Sequence, residues 1–425
     1  MNFSEHRPKV YFKTFGCRTN IFDTQVMISN LKDFDVTNNE KEANVVIINS
    51  CTVTNSADTT ARSYINSLKK LENSPKVIFT GCGTRTKGEK LFADDKIDGL
   101  FGSSLKENIN EILKLDDKFY KLGDLKSLDT TVVEEFVGKS RAFIKIQEGC
   151  DFRCSYCIIP HVRGDARSYE ESVILNQVQT LANNGFSEFI LTGTNVGSYG
   201  KKMHTSLAKL LKKMSLIKGV KRIRMGSIEP IQIDDEFKEL INEPFMAKHL
   251  HIALQHTSKE MLKIMNRRNK VLSDLELFEF LSQNGYALGT DFIVGHPGET
   301  QEIWSEAIKN LHNFPLTHIH AFTYSKRDGT PSASMKDIVK GDIAKDRYIE
   351  LVEIIKQKNY EFRQNIKNNK VKLEVLVEQE KNGKYLGFDQ FFNQVEISSN
   401  EDLVSDWLNL EDYKVEFNKN EARFK

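Results

Sequence analysis

All six cysteines of this 425-residue chain fall into two sets of three, with none left over. The compact set, Cys150, Cys154 and Cys157, lies in "EGCDFRCSYCIIP" with the spacing C-x3-C-x2-C. The spread set, Cys17, Cys51 and Cys82, sits in "FGCRTN", "INSCTVT" and "TGCGTR". Thiolates at such spacings are ligands for soft metals. A structural zinc normally takes four protein ligands, and His161 could serve as a fourth beside the compact set. A 4Fe–4S cluster held by three thiolates keeps one iron open to a substrate, which accounts for the missing fourth cysteine. The spread set reads less directly, because isolated cysteines in a reducing compartment are more often small buried hydrophobes than ligands.

The elements that must carry these residues are legible as short apolar runs. "KVYFKTFGC", "ANVVIINSC" and "KVIFTGC" each read as a buried strand ending in a polar loop, which predicts an open parallel α/β sheet with the three cysteines at strand ends. Ligands so placed converge. The middle of the chain repeats a strand-then-helix rhythm through "AFIKIQ", "EFILTGTN", "KRIRMGSI", "HLHIALQ", "TDFIVG" and "THIHAFTY", which predicts a six-stranded partial (β/α) barrel. Barrel chemistry sits at the carboxyl ends of strands, where Cys150 follows the first one. The neighbouring strand-end loops offer Gly193, Asn195, Ser227, Glu229, Gln255 and Gly295 as cofactor contacts, or equally as turn formers and helix caps. From Gly341 to about residue 369 a helical pattern puts Ile349, Leu351, Val352, Ile354 and Ile355 on a core face. The tail alternates apolar and polar residues around Gly383 and Gly387, as a small β-barrel does.

Composition narrows the partners. Hydrophobic content of 39% and charged content of 28% are ordinary for globular chains, and no apolar run is long enough to span a bilayer. The first residues lack a secretory layout, so a cytoplasmic protein without membrane contact is expected, and disulfides are not. A net charge of +1 excludes nothing, because basic groups can gather on one face. Arg163, Arg167, Arg267, Arg268 and Lys270 are candidate phosphate contacts, against the alternative of a solvated helix face. The tail from residue 370 onward has 8 basic and 12 acidic residues, which argues against bulk phosphate attraction there. Its Phe388, Phe391 and Phe392 fit a small core better than base stacking.

The compact set with Tyr156, reading C-x3-C-x-aromatic-C, resembles the signature of the radical S-adenosylmethionine (SAM) enzymes. With the three spread cysteines, the pattern resembles the methylthiotransferases over nearly the whole chain. That resemblance implies a 4Fe–4S cluster on Cys150, Cys154 and Cys157 that binds SAM beside Tyr156, and a second cluster on Cys17, Cys51 and Cys82. It implies three domains as well: 1–125 with the auxiliary cluster, 136–366 as the radical SAM domain, and 369–425 similar to the TRAM RNA-binding domain. Implied partners are tRNA at its anticodon stem-loop, SAM, an electron donor and a sulfur donor. "RAFIKIQEGC", "INSCTVTNSAD", "RIRMGSIEP" and "HLHIALQ" are most similar to the enzymes acting on threonylcarbamoyladenosine in tRNA. Isopentenyladenosine in tRNA and an aspartate of a ribosomal protein are the family's other substrates. The chain departs from the family at His256-Thr257, where a glycine-containing "QSGS" is usual, and at Tyr169, where an arginine is usual. A reading of another class keeps the cysteines structural, in an RNA-binding protein without catalysis.

Overall fold

A computed structural model describes residues 7–53 and 55–424. The amino-terminal sheet has six parallel strands in the order Asp35–Val36, Lys9–Thr14, Val45–Ser50, Lys76–Gly81, Gly99–Phe101, Phe119–Lys121. Val45–Ser50 is buried along its whole length because helices cover both faces, which is why it reads as a continuous apolar run. Its neighbours on either side are Lys9–Thr14 and Lys76–Gly81, paired through Val10↔Val45 and Val45↔Lys76. The three spread cysteines therefore leave three adjacent strands at the same sheet edge, next to the point where strand order reverses.

The central domain is the expected partial barrel. Its parallel strands are Ala142–Glu148, Glu188–Gly193, Arg222–Arg224, His249–His251, Ala287–Val294 and His318–Thr323. The two three-strand halves meet through the isolated bridges Ile223↔Met246 and Ile228↔Ile252. One apolar core runs from Phe143 and Ile190 through Leu250 and Phe292 to Leu351. The helix Gly341–Asn368 packs on it through Ala344, Leu351 and Ile355. Ile349, expected on that core face, is instead 43% exposed. It lies about 160° round the helix from Leu351 at 3.6 residues per turn.

The carboxy-terminal unit is a curled six-stranded sheet, mostly antiparallel, in the order Trp407–Leu410, Leu373–Lys381, Lys384–Phe388, Gln394–Ser398, Asn420–Arg423, Lys414–Val415. It forms a half-barrel, whose end strands do not pair with each other among the described residues. Its first hairpin turns at Asn382 and Gly383, both with positive φ (55° and 75°), the backbone a two-residue turn of a twisted ribbon requires. Phe391 fills its core, while Phe388 and Phe392 stack outside it at 4.9 Å. No helix among the described residues is long and apolar enough to cross a membrane.

Candidate active site

The carboxyl ends of the amino-terminal sheet and of the barrel face one cavity of about 610 Å³, lined by all six cysteines. Cys17, Cys51 and Cys82 enter it from the three adjacent strand ends. Two glycines make that convergence fit. Gly16 has φ +101°, and a Cβ there would sit 2.3 Å from Cβ of Cys51. Gly81, with φ +87°, turns the chain into Cys82 where any Cβ would strike Asn49 and Ser50. Arg163 donates from Nε to Sγ of Cys82 at 3.1 Å. Burial, reinforced by Cys82 and Cys17, pushes the Cys51 thiol up to about 12.

Cys150, Cys154 and Cys157 enter from the loop after the first barrel strand, opposite the other three. Sγ of Cys150 accepts from Nδ2 of Asn195 at 3.6 Å and from the Phe152 amide at 3.4 Å. Sγ of Cys154 accepts from Arg267 at 3.6 Å. Burial pushes Cys157 up to about 12, as it does Cys51, so these two thiols hold their protons at neutral pH until a metal displaces them. All six are free thiols. His161 is exposed and does not line the cavity, so the compact set has no fourth ligand from it.

The surroundings suit an anionic, sulfur-rich group with a polar ligand on it. Arg267 pairs with both carboxylate oxygens of Glu229, at 2.9 Å for one of them, and keeps its charge next to the cysteines. The buried Oδ1 of Asn195 has no hydrogen-bond partner within the protein, a feature expected of an atom waiting for a ligand. Tyr156, Gly193, Ser227 and Gln255 complete the rim. On the far wall His251 and His320 flank Asp291 at 3.1 and 3.5 Å.

Several expectations need correcting. Gly295 does not line the cavity; its φ of +75° and the 2.8 Å approach of Ala344 to a Cβ there mark a packing position. Arg163 is 2% exposed and fully engaged, with Asp23 and Glu148 at 2.8 and 2.7 Å and Asn20 at 2.7 Å. No phosphate reaches it. Arg267 is equally enclosed, its side chain 2% exposed, so it serves the cavity rather than an outer face. Arg167 is half-buried against the Arg163 and Asp165 carbonyls, whereas Arg268 and Lys270 are exposed. Sequence reasoning missed Arg18, His249, His251, Asp291, His320, Arg327 and Phe392, all of which line the cavity. Only Arg18 carried a local signal, its place next to Cys17.

Tyr169 explains one departure from the family pattern. Its hydroxyl donates to Asp129 at 2.6 Å inside a buried network of Asp23, Lys106, Asp129, Lys145, Glu148 and Arg163. That network joins the amino-terminal helix Arg18–Ser29 to the first barrel strand and ends on Cys82.

The sequence matches the uncharacterized protein family UPF0004 over residues 9–102 and the radical SAM superfamily over residues 144–311. It is 53% identical to a Helicobacter pylori protein named "Putative methylthiotransferase", over 98% of this chain and 100% of that one. The chain belongs to the radical SAM methylthiotransferase family. It is thus an enzyme that transfers a methylthio group. Another relative is the threonylcarbamoyladenosine tRNA methylthiotransferase MtaB of Bacillus subtilis, 31% identical over 98% of this chain and 96% of its own. A Hydrogenobaculum tRNA-2-methylthio-N(6)-dimethylallyladenosine synthase is 30% identical over 93% and 94%. Among solved structures, the radical SAM methyltransferase TsrM of Kitasatospora setae, with cobalamin and a [4Fe-4S] cluster bound, has the same fold over 77% of each chain, with a TM-score of 0.59 and 16% identity.

Proposed function

We propose that this methylthiotransferase acts on tRNA, inserting its group at carbon 2 of the threonylcarbamoyladenosine next to the anticodon. The observation that carries the two-centre part is the opening of both three-thiol sets into one cavity. Support for the substrate comes from the wording of the motifs and the MtaB relative. The polar far wall, with His251, Asp291 and His320, also suits a polar N6 substituent better than an apolar isopentenyl group. We assign three functional units, 1–125, 136–366 and 369–425, with the last similar to a TRAM domain and contacting RNA.

In this reading Cys150, Cys154 and Cys157 hold one 4Fe–4S cluster, and Cys17, Cys51 and Cys82 hold a second. Tyr156, Gly193, Asn195, Ser227, Glu229 and Gln255 face SAM. When bound, these groups supply radical hydrogen abstraction and sulfur for transfer, fed by an electron donor and a sulfur donor. The protein's own part is to hold the reacting carbon within reach of both centres and to keep water out. Asn195 and Arg267 place donors on the sulfurs of Cys150 and Cys154, the contacts a metal-bound sulfur would accept. Glu229 fixes Arg267 in that pose. Arg268 and Lys270, exposed beside the loop, are placed to meet the RNA backbone.

Reconstituted protein given tRNA with either modified adenosine tests the reading. Product from threonylcarbamoyladenosine alone is expected, and a reversed preference overturns the substrate assignment. In the same assay Cys154→Ala should abolish SAM cleavage, while Cys51→Ala should keep it and lose sulfur insertion. Full 5′-deoxyadenosine release by Cys154→Ala would sink the ligand assignment.

A further inference from the structure

Four arginines line the cavity, and three of them hold a carboxylate. Arg163 holds Asp23 and Glu148, Arg267 holds Glu229, and Arg327 holds Asp58 at 2.6 Å. Arg18 holds none. Among the described residues no carboxylate or carbonyl bonds its side chain, and its contact is the ring of Phe392, 5.8 Å from the guanidinium carbon. Arg18 is the first residue of the helix that follows Cys17, so its guanidinium opens on the cavity beside the spread thiols.

The surroundings sharpen this vacancy of charge. Arg141 and Arg224 approach the same ring at 5.8 and 5.4 Å. Glu188 serves Arg141, Arg222 and Arg224 together, and among the described residues Glu378 is the only other carboxylate in an ion pair with these arginines. Charge of one sign is thus in excess at the edge of the cavity, which costs stability unless an anion arrives.

Phe392 is held for the purpose. Its backbone has φ +66°, a strained value for a bulky residue. The strain is imposed by the Asp389 carboxylate, which accepts from the amides of Phe391 and Asn393 at 2.9 and 2.8 Å. The ring so placed stacks on Phe388 and lies 5.0 Å from His249 on the barrel wall. A strained aromatic from the carboxy-terminal unit therefore builds part of the cavity and seats a free guanidinium.

We propose that Arg18, seated on Phe392, recognises the carboxylate of the N6 substituent of the substrate adenosine. This rests on the reading that the substrate is threonylcarbamoyladenosine, whose substituent ends in a carboxylate where the isopentenyl group has none. A planar guanidinium meets a carboxylate through two parallel hydrogen bonds, so the contact selects by charge and by shape. The carboxy-terminal unit then acts in substrate choice as well as in RNA contact. A backbone phosphate offers the same anionic oxygens, and the test separates the two.

Anticodon stem-loop RNAs carrying threonylcarbamoyladenosine or its methyl ester are titrated against wild-type protein, Arg18→Gln and Arg18→Lys by fluorescence anisotropy at one salt concentration. Iron and sulfide content checks that each variant loads its clusters. Wild type should bind the acid about ten- to a hundredfold more tightly than the ester, the range expected of a charged hydrogen-bonded contact. Arg18→Gln should bring that ratio to about one, with Arg18→Lys between. Should Arg18→Gln fail to load, Phe392→Leu carries the test, and a reduced acid-to-ester ratio is again expected. An unchanged ratio in these variants overturns the inference, as does equal loss of affinity for both RNAs, the mark of a phosphate contact. If wild type methylthiolates only isopentenyladenosine, the substrate reading fails and takes the inference with it. Threonylcarbamoyladenosine turnover with an unchanged ratio sinks the inference alone.

Discussion

On the amino-terminal side of the cavity three cations and three carboxylates close on one another; on the carboxy-terminal side Arg141, Arg222 and Arg224 pair with two carboxylates, and Arg18 beside them has none among the described residues. In the first group Lys106, Lys145 and Arg163 face Asp23, Asp129 and Glu148, none more than 5% exposed. Lys145 alone reaches Asp23 at 2.6 Å, Asp129 at 3.0 Å and Glu148 at 3.2 Å. Burial by itself would lower Lys145, yet the carboxylates of Asp129, Asp23 and Glu148 outweigh it and hold the ammonium well above its usual range. In the second group Arg222 and Arg224 spend their remaining donors on the carbonyls of Glu374, Gln390 and Asp389, which tie the half-barrel to the barrel. A balanced buried network fixes geometry and offers nothing to a ligand. An unbalanced one that opens on a cavity is poised to take an anion.

The largest effect should come from unbalancing the first group. Lys145→Met leaves three buried carboxylates facing two cations, and should destabilise the junction by about 3 to 5 kcal/mol. Urea unfolding checks it, and a loss below ~1 kcal/mol would mean that water enters the network. The pH dependence of the two sides should run in opposite directions. Asp23, Asp129 and Glu148 are held below the usual carboxylate value of about 4. Their contribution is therefore present above that value and is lost as pH falls toward their folded values. Burial instead raises Asp389 to about 6, so its contribution is present at low pH and is lost as pH rises through about 6. Relative to wild type, Asp389→Asn should gain about 1.5 kcal/mol in urea unfolding between pH 5 and pH 8. No change with pH would show that Arg224 and Arg222 fully neutralise the carboxylate. The smallest effect belongs to Lys87 and Asp328, which bridge the same two domains at 3.5 Å but are 53% and 82% exposed. Lys87→Ala should move the unfolding midpoint by less than ~0.5 kcal/mol, because solvent already screens that pair.

The strands and the two cysteine sets were legible because they are local. Apolar runs such as "NVVII" and the C-x3-C-x2-C spacing keep their meaning whatever surrounds them. Arg163 and Arg267 were misread for the opposite reason. An arginine in a polar loop looks solvated, and only the tertiary packing shows that Arg163 is sealed by Asp23 of the amino-terminal helix and Arg267 by Glu229 of another barrel loop. Gly295 was taken for a ligand contact because a strand-end glycine looks the same whether a cofactor or Ala344 comes close to it. Ile349 failed on a smaller point. A helical stripe three residues wide cannot be centred from sequence when charged residues sit on both of its borders.

By itself the sequence determined the three-part α/β and β architecture, the six thiols at strand ends, and the family to which they belong, since each follows from patterns spanning a few residues. The tertiary structure alone decided which charges are spent and which remain. Arg18 and Phe392 are 374 positions apart in the chain and meet only because the half-barrel folds back over the cavity. Whether a buried arginine is satisfied depends on every carboxylate within a few ångströms, and that is a property of packing that no local pattern encodes.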